Sequence, residues 1–100
     1  MKDQQVSLIN QPALAVDALE LGYLFHFDLI DVLEELLSQT TPETYTGHRP
    51  PQKSYEQEIK NIEMFAFVVT IKRFPEPVYY KFALEQGILW LVSLHRDRKK

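Results

Sequence analysis

The residues with the clearest capacity for chemistry lie near the end of the chain and alternate along two apolar segments. Tyr79 and Lys81 stand two positions apart in one segment, and Ser93 and His95 stand two positions apart in the next. If both segments are β-strands, each pair points to one face of a sheet. His, Lys and Tyr side chains can serve as general acids or bases, and cations stabilise charge that develops on a phosphoryl group. We therefore interpret Tyr79, Lys81 and His95 as candidate catalytic residues.

This set of side chains matches the cleavage of RNA without a metal. That reaction removes a proton from the 2′-hydroxyl, stabilises a phosphorane and returns a proton to the leaving 5′-oxygen. An exposed tyrosine can also stack on an unpaired base. No cofactor is expected. The candidates for RNA binding are His48, Arg49, Lys53, Lys72, Arg96 and Arg98.

Most of these assignments have a simpler alternative. His95 stands near a chain end, where a histidine is commonly just solvated, and Tyr79 could pack against a neighbouring strand. Arg49, in a loop, could serve solubility alone. Lys81 is harder to explain structurally, because the middle of a sheet favours β-forming residues. Ser93 has no nearby Asp–His pair, which disfavours a serine hydrolase.

The composition of the chain excludes several classes of protein. Its 100 residues allow one domain, and the lack of cysteine excludes disulfides and thiolate metal sites. The three histidines are scattered, so we expect no metal site. No apolar run approaches the ~20 residues needed to cross a bilayer, and the polar start argues against a secretory signal. The expectation is a cytoplasmic protein without a membrane partner.

The two halves of the chain differ in charge. Residues 1–46 contain eight acidic residues and one lysine, whereas residues 47–100 contain six acidic and ten basic residues. The halves therefore carry −7 and +4, within a total of −3. A basic half can meet phosphate or an acidic partner. Ordinary solvation explains the same pattern, and the overall acidity disfavours a dedicated nucleic-acid binder.

Two helices are predicted within residues 12–38. The first starts at Pro12 and ends before Gly22, because proline suits a first turn and glycine suits the position after a helix end. The second starts near Asp28, whose carboxylate can cap the first free amides. Residues 39–62 form a loop-rich connection, and so long a loop is either functional or mobile.

The remaining segment, 63–96, is predicted to be an antiparallel sheet. Period-two patterns give strands at residues 64–72, 78–84 and 88–96. We expect a four-residue loop at 73–76 and a three-residue loop at 85–87, with Gly87 left-handed. The fold class is therefore α+β: two N-terminal helices packed on one face of a C-terminal antiparallel meander of at least three strands, in a single domain.

These loop lengths predict the strand register. Ile71 then faces Val78, and Tyr79 lies between Thr70 and Ser93. The side facing the helices receives Phe65, Phe67, Tyr80, Phe82, Trp90, Val92 and Leu94. The outer side receives Val68, Ala83, Leu89 and Leu91 beside the polar row, with His95 diagonal to Tyr79.

The order of elements and three short motifs resemble the RelE-like superfamily of ribonuclease toxins from bacterial toxin–antitoxin pairs, most closely the MqsR family. Leu-Glu-Leu-Gly at 19–22, followed by the helix 28–37, is similar to the family's helical half. Val-Tyr-Tyr-Lys at 78–81 resembles its Val-Tyr-x-Lys strand. Val-Ser-Leu-His-Arg at 92–96 resembles its terminal Val-Ser-Phe-Lys strand.

The resemblance implies the toxin of a type II pair that cleaves mRNA without a metal and is neutralised by a cognate antitoxin protein. Tyr79 matches a functional tyrosine of the family, and His95 stands where the family has a lysine. The family's Phe-Tyr-Lys-Ser run is Thr-Tyr-Thr-Gly at 44–47 here, and its glutamine falls near Ala66. Charge from the loop that contains His48, Arg49 and Lys53 is expected to replace the missing lysine.

Two other interpretations remain open at this stage. In the first, the half-apolar outer face binds a partner protein and no chemistry occurs. In the second, the chain is an accessory domain that binds nucleic acid without cutting it. Salt discriminates between them, since RNA binding weakens steeply with added salt and an apolar contact does not. Oligomeric state and cleavage sequence cannot be predicted from these residues.

Overall fold

The computed structural model describes residues 5–47 and 49–97, which form two helices and a four-stranded sheet. The elements in chain order are β1 (Gln5–Leu8), α1 (Gln11–Leu21), α2 (Phe25–Ser38), two 3₁₀ turns (Pro42–Thr44 and Gln57–Ile59), β2 (Met64–Val69), β3 (Val78–Glu85) and β4 (Ile88–Arg96). The predicted α+β class is confirmed.

Helix α1 begins at Gln11, one residue before the predicted start, and ends before Gly22 as predicted. The side chain of Asn10 accepts a hydrogen bond from the Ala13 amide at 3.4 Å. At the other end Gly22 has φ 91°, and its N–H donates to the Ala18 carbonyl at 2.8 Å. This left-handed position favours glycine because it lacks a Cβ.

Helix α2 begins at Phe25, three residues before the predicted start. Asp28 is therefore not the N-cap but a residue of the first turn. Its carboxylate still accepts a hydrogen bond from the amide of Leu24, the N-cap residue, at 3.1 Å. The predicted role of Asp28 in satisfying a free amide is confirmed, while its predicted position is wrong.

The sheet has the strand order β1-β4-β3-β2. Strands β2, β3 and β4 form the predicted antiparallel meander. Strand β1, which the sequence did not predict, pairs with β4 in parallel and makes the sheet mixed. It has only four residues and an unremarkable composition, so its assignment depends on a partner far along the chain.

The register between β2 and β3 differs from the predicted one by two residues. Val69, not Ile71, lies opposite Val78. Strand β2 ends at Val69 because Ile71 and Phe74 leave the strand and become buried in the core, at 6% and 5% exposure. The link between the strands is therefore residues 70–77. A shift of two residues keeps every side chain on its predicted face.

The β3–β4 hairpin has a two-residue loop, Gln86 and Gly87, instead of the predicted three. Both residues have positive φ, 53° and 77°. Left-handed backbone at both central positions is the geometry of the tight turn that matches the twist of a hairpin. Glu85 consequently pairs with Ile88. The prediction that Gly87 is left-handed is confirmed.

Strand β4 contains a bulge that changes which face its residues occupy. Lys81 lies opposite Ser93, but its neighbour Phe82 lies opposite Leu91, so Val92 is an extra residue on β4. Before the bulge, odd-numbered residues of β4 face the helices. The exposures of Leu89 and Leu91 are accordingly 2% and 0%. The predicted outward position of these two residues is wrong.

Two hydrophobic cores lie on opposite faces of the sheet. The main core joins both helices to residues that include Val78, Tyr80 and Leu94. The second core has buried members Ile9, Ile59, Met64 and Ala83, packed against Ile62, Trp90 and Val92. Trp90 and Val92 therefore face away from the helices, against prediction. The connection 39–62 covers this second core through Ile59.

The same connection also covers the outer edge of β2. The amide of Thr46 donates to the carbonyl of Ala66 at 2.8 Å, and the amide of Met64 donates to the carbonyl of Gln52 at 2.8 Å. Covering an edge strand satisfies backbone groups that would otherwise recruit another strand. The connection is thus an integrated part of the fold that frames the outer face of the sheet.

Candidate active site

Tyr79, Lys81, Ser93 and His95 share the outer face of the central strands. Tyr79 lies directly opposite His95, and Lys81 lies directly opposite Ser93. The prediction that His95 is diagonal to Tyr79 is wrong, because the two-residue turn and the bulge at Val92 each shift the strands by one residue. The shift brings the two rings together: they stack with centroids 4.9 Å apart and planes inclined by 17°. The structure therefore brings the three predicted catalytic residues onto one patch.

The imidazole of His95 has a defined hydrogen-bond arrangement. Its Nδ1 lies 2.8 Å from the carbonyl oxygen of Arg96. A carbonyl oxygen only accepts, so Nδ1 carries the proton of the neutral ring. Nε2 is then the nitrogen with a free lone pair. A neutral histidine in this tautomer can take a proton from a substrate hydroxyl.

The phenol of Tyr79 is suited to donate rather than to accept a proton. The side chain is half-buried between its neighbours, and this burial raises the pKa of Tyr79 above its usual value. The hydroxyl therefore remains protonated throughout the neutral range. Its ring is held by the stack on His95, which fixes the position of the hydroxyl relative to the imidazole.

Lys81 is a half-buried cation in the middle of the sheet. Within residues 5–47 and 49–97, its ammonium group forms no ion pair. The ammonium group is therefore available to an anionic ligand on the outer face.

A small cavity of about 140 Å³ opens beside these residues. It is bounded by Met64 and Ala66 of β2, by Tyr79 and Lys81 of β3, and by Thr46, Gly47 and Gln52 of the connection. Three residues of the connection thus lie beside the polar patch. Sequence reasoning did not single out Thr46 or Gln52, because no spacing rule links a loop to a particular strand.

Arg49 is held next to the cavity by aromatic packing. Its guanidinium carbon lies 4.7 Å from the centre of the Tyr45 ring. That ring in turn meets Phe67 edge-on, with centroids 5.4 Å apart. A Cβ on Gly47 would lie 2.8 Å from the Tyr45 hydroxyl oxygen, so glycine permits this packing. Arg49 is exposed to solvent.

The other predicted RNA-binding residues are dispersed. Lys53 is exposed, and its backbone pairs with that of Glu63 in an isolated antiparallel β-bridge beside the start of β2. Arg96, at the end of β4, has its Nε 3.5 Å from a carboxylate oxygen of Glu76. His48 and Arg98 lie outside the described residues. Lys72 does not join the patch; it lies in a separate cleft.

That separate cleft has a volume of about 620 Å³ and lies between the end of α2 and the link after β2. Its lining residues are Glu35, Ser38, Gln39, Thr70, Ile71, Lys72 and Arg73. Arg73 donates to both oxygens of Glu35, with a shortest distance of 2.6 Å. This hydrogen bonding lowers the pKa of the Glu35 carboxyl. Glu35 and Arg73 in this cleft already pair with each other, so their charges are less available to a ligand. The cleft is therefore the weaker candidate site.

Three of the four apolar residues predicted to form a protein-binding face are buried. The exposures of Ala83, Leu89 and Leu91 are 0%, 2% and 0%. Ala83 belongs to the second core, and both leucines face the helices. Of the four, only Val68 is partly exposed on the outer face.

Comparison of the chain with protein-family models, with curated proteins and with solved structures returns no match. No helix in the described part of the chain is long and apolar enough to cross a membrane. Among the same residues, no three His, Cys, Asp or Glu side chains are grouped to hold a metal ion. Function therefore has to be inferred from the chemistry of the Tyr79–Lys81–His95 patch.

Proposed function

We propose that this protein is a metal-independent endoribonuclease that cleaves mRNA, and that it is the toxin of a type II toxin–antitoxin pair with a RelE-like fold of the MqsR kind. The observation that carries the proposal is the stack of Tyr79 on His95 beside Lys81. It combines a base, a proton donor and a cation on one surface, next to a cavity. The motif resemblance at 78–81 and 92–96 supports the same assignment.

The side chains can divide the reaction among them. Nε2 of His95 takes the proton of a ribose 2′-hydroxyl, and the 2′-oxygen attacks the adjacent phosphorus. The bond from phosphorus to the 5′-oxygen breaks, and the phenol of Tyr79 protonates that leaving oxygen. Lys81 stabilises the negative charge on the phosphorane. The products are a 2′,3′-cyclic phosphate and a 5′-hydroxyl, and proton exchange with solvent resets both residues.

The charge distribution supports RNA as the substrate and a protein as the partner. The half of the chain that forms the sheet carries +4, and the helical half carries −7. Arg49 is exposed in the connection that borders the cavity, where its charge is available to a phosphate of bound RNA. A cognate antitoxin would neutralise the protein by covering this basic surface.

A cleavage assay with purified protein tests the catalytic assignment. Single-stranded RNA is incubated in the presence of EDTA with the wild type, Lys81→Ala and His95→Ala. Each substitution is expected to slow cleavage by about 100-fold or more, the usual contribution of a general base for His95 and of a charge-stabilising group for Lys81. Lys60→Ala and His26→Ala, which change exposed residues elsewhere, are the matched controls and retain full activity. Unchanged cleavage by both site variants contradicts the assignment.

Induced expression in a bacterial host tests the toxin assignment. Growth arrest with loss of mRNA is expected for the wild type and not for Lys81→Ala/His95→Ala at equal soluble expression. Normal growth with the wild type contradicts toxicity. Binding of RNA that weakens with salt but yields no cleavage products would instead identify a non-cutting RNA-binding protein.

A further inference from the structure

The cavity beside Tyr79 and Lys81 combines an apolar floor with free polar groups. Met64 and Ala66 form the floor, with exposures of 9% and 4%. Gln52 stands at the rim. Within the described part of the chain, neither the Gln52 side-chain amide nor the Lys81 ammonium has a hydrogen-bond or ion-pair partner. A ligand is therefore able to use both groups.

The dimensions of the cavity restrict the class of ligand. A volume of about 140 Å³ is well below the ~300–1,000 Å³ of sites that enclose whole drug-sized molecules. It suits a single planar ring system inserted between the sheet and the connection. Proteins that recognise single-stranded RNA take up unstacked bases in this way, against aromatic side chains and beside groups that read the base edge.

We infer that this cavity is a base-recognition pocket, which receives one unstacked nucleobase of the RNA and reads its edge through Gln52. The inference rests on the proposed function, because it assigns the substrate contact that positions RNA at the patch. A carboxamide has both a donor and an acceptor, so it can form two hydrogen bonds to one base edge. Lys81 lies on the same wall, where it meets the phosphate of the bound nucleotide.

The backbone holds Gln52 in place for this role. Its carbonyl accepts the Met64 amide at 2.8 Å, so its Cα is fixed to the start of β2. On the other side of the cavity, Thr46 is fixed by the hydrogen bond of its amide to the Ala66 carbonyl, also at 2.8 Å. Backbone hydrogen bonds thus join both sides of the cavity to β2. A pocket formed in this way is present before RNA binds, which favours selectivity.

Binding of RNA that cannot be cleaved tests the pocket separately from catalysis. The probes are four homotetranucleotides, of U, C, A and G, with 2′-O-methyl ribose, titrated into ¹⁵N-labelled full-length protein. We expect one base to bind about tenfold more tightly than the others, the discrimination of a good two-bond contact. The amide signals of Thr46, Gly47 and Gln52 are expected to shift most. Gln52→Ala abolishes the preference, whereas Gln57→Ala, in the exposed 3₁₀ turn, retains it.

Several results overturn the inference. These are shifts that map to the cleft of Lys72 and Arg73, a base preference that survives in Gln52→Ala, and no binding of any probe at millimolar concentration. The two proposals fail separately. Cleavage that depends on Lys81 and His95, without a base preference at the cavity, refutes the pocket alone. A base preference that depends on Gln52, in a protein that cleaves no RNA, refutes the catalytic function and leaves the pocket standing.

Discussion

Lys81 lies directly opposite Ser93, and this is the last aligned pair before β4 gains one residue relative to β3. On one side of this point, β4 presents Ser93 and His95 to the outer face. On the other side, it presents Leu91 and Leu89 to the helices. Because of this one extra residue, the polar pair and the leucine pair lie on opposite faces of the sheet. With unbroken alternation, all four residues would lie on the same face.

Deletion of Val92 is expected to remove the bulge and to retain cooperative folding. Without the extra residue, β4 alternates without a break, so Leu89, Leu91 and Leu94 still face the helices while Ser93 and His95 still face outward. Thermal unfolding followed by circular dichroism measures the effect. Val92→Ala keeps the bulge and loses only part of the same half-buried side chain, so it is the matched comparison. Loss of a cooperative transition in the deletion variant alone would contradict this prediction.

Tyr80→Phe is expected to lower the free energy of unfolding by about 1 kcal/mol, the usual value of one hydrogen bond. The Thr40 hydroxyl donates to the Leu36 carbonyl, so the Tyr80 hydroxyl donates to Thr40. This bond joins the end of α2 to the middle of β3. Urea titration measures the loss, and an unchanged midpoint contradicts it.

Tyr23→Phe is the matched comparison and is expected to leave stability unchanged or to raise it. The Tyr23 hydroxyl is buried and has no hydrogen-bond partner among the described residues. Burial, with a smaller effect of Asp17, raises the pKa of Tyr23 to about 12. Removal of an unsatisfied hydroxyl relieves a desolvation cost. A loss as large as that of Tyr80→Phe would indicate an unrecognised bond.

The ion pair between Arg73 and Glu35 is expected to stabilise the fold by less than about 1 kcal/mol, because both side chains are exposed to solvent. Their exposures are 32% and 40%. The hydrogen bond from Arg73 lowers the pKa of Glu35 below 4.5, so the contribution is complete above that pH and disappears as pH falls through the lowered pKa. Urea unfolding of the wild type and Glu35→Gln at pH 7 and pH 3 measures this; a difference that grows in acid contradicts it.

Tyr79→Phe is expected to reduce RNA cleavage about 100-fold while Tyr79→Ala reduces it further. Phenylalanine retains the stack on His95 but lacks the proton for the leaving oxygen. Alanine removes both. Single-turnover rates separate the two losses, and full activity of Tyr79→Phe would limit Tyr79 to positioning.

Short sequence patterns predicted the helices and the three antiparallel strands, because residues close together in the chain specify each of these elements. Gly22 and the apolar spacing specify α1, and Gly87 specifies the hairpin. The bulge at Val92 has no such signal, since Val, Ser, Leu and Trp suit either face of a strand. Strand β1 was missed for a related reason: four residues acquire their structure only through pairing with a distant strand.

The polar row of the candidate site followed from alternation alone, because a register error of two residues preserves faces. Tyr79 and Lys81 were therefore correctly placed together. The direct stack of Tyr79 on His95 depended on the turn length and on the bulge at Val92, each of which shifts β4 by one residue from the predicted register. Thr46 and Gln52 could not be found, because a loop meets a strand only after tertiary packing.

The parallel pairing of β1 with β4 gives the molecule a mechanical property. A force that pulls the chain outward at Gln5 and at Arg96 acts along two adjacent strands in opposite directions. Hydrogen bonds that run between the strands are then loaded together, in shear, instead of opening one after another as in a hairpin pulled from its open end. The short strand that alternation failed to reveal is thus the element whose hydrogen bonds to β4 resist a force applied between Gln5 and Arg96.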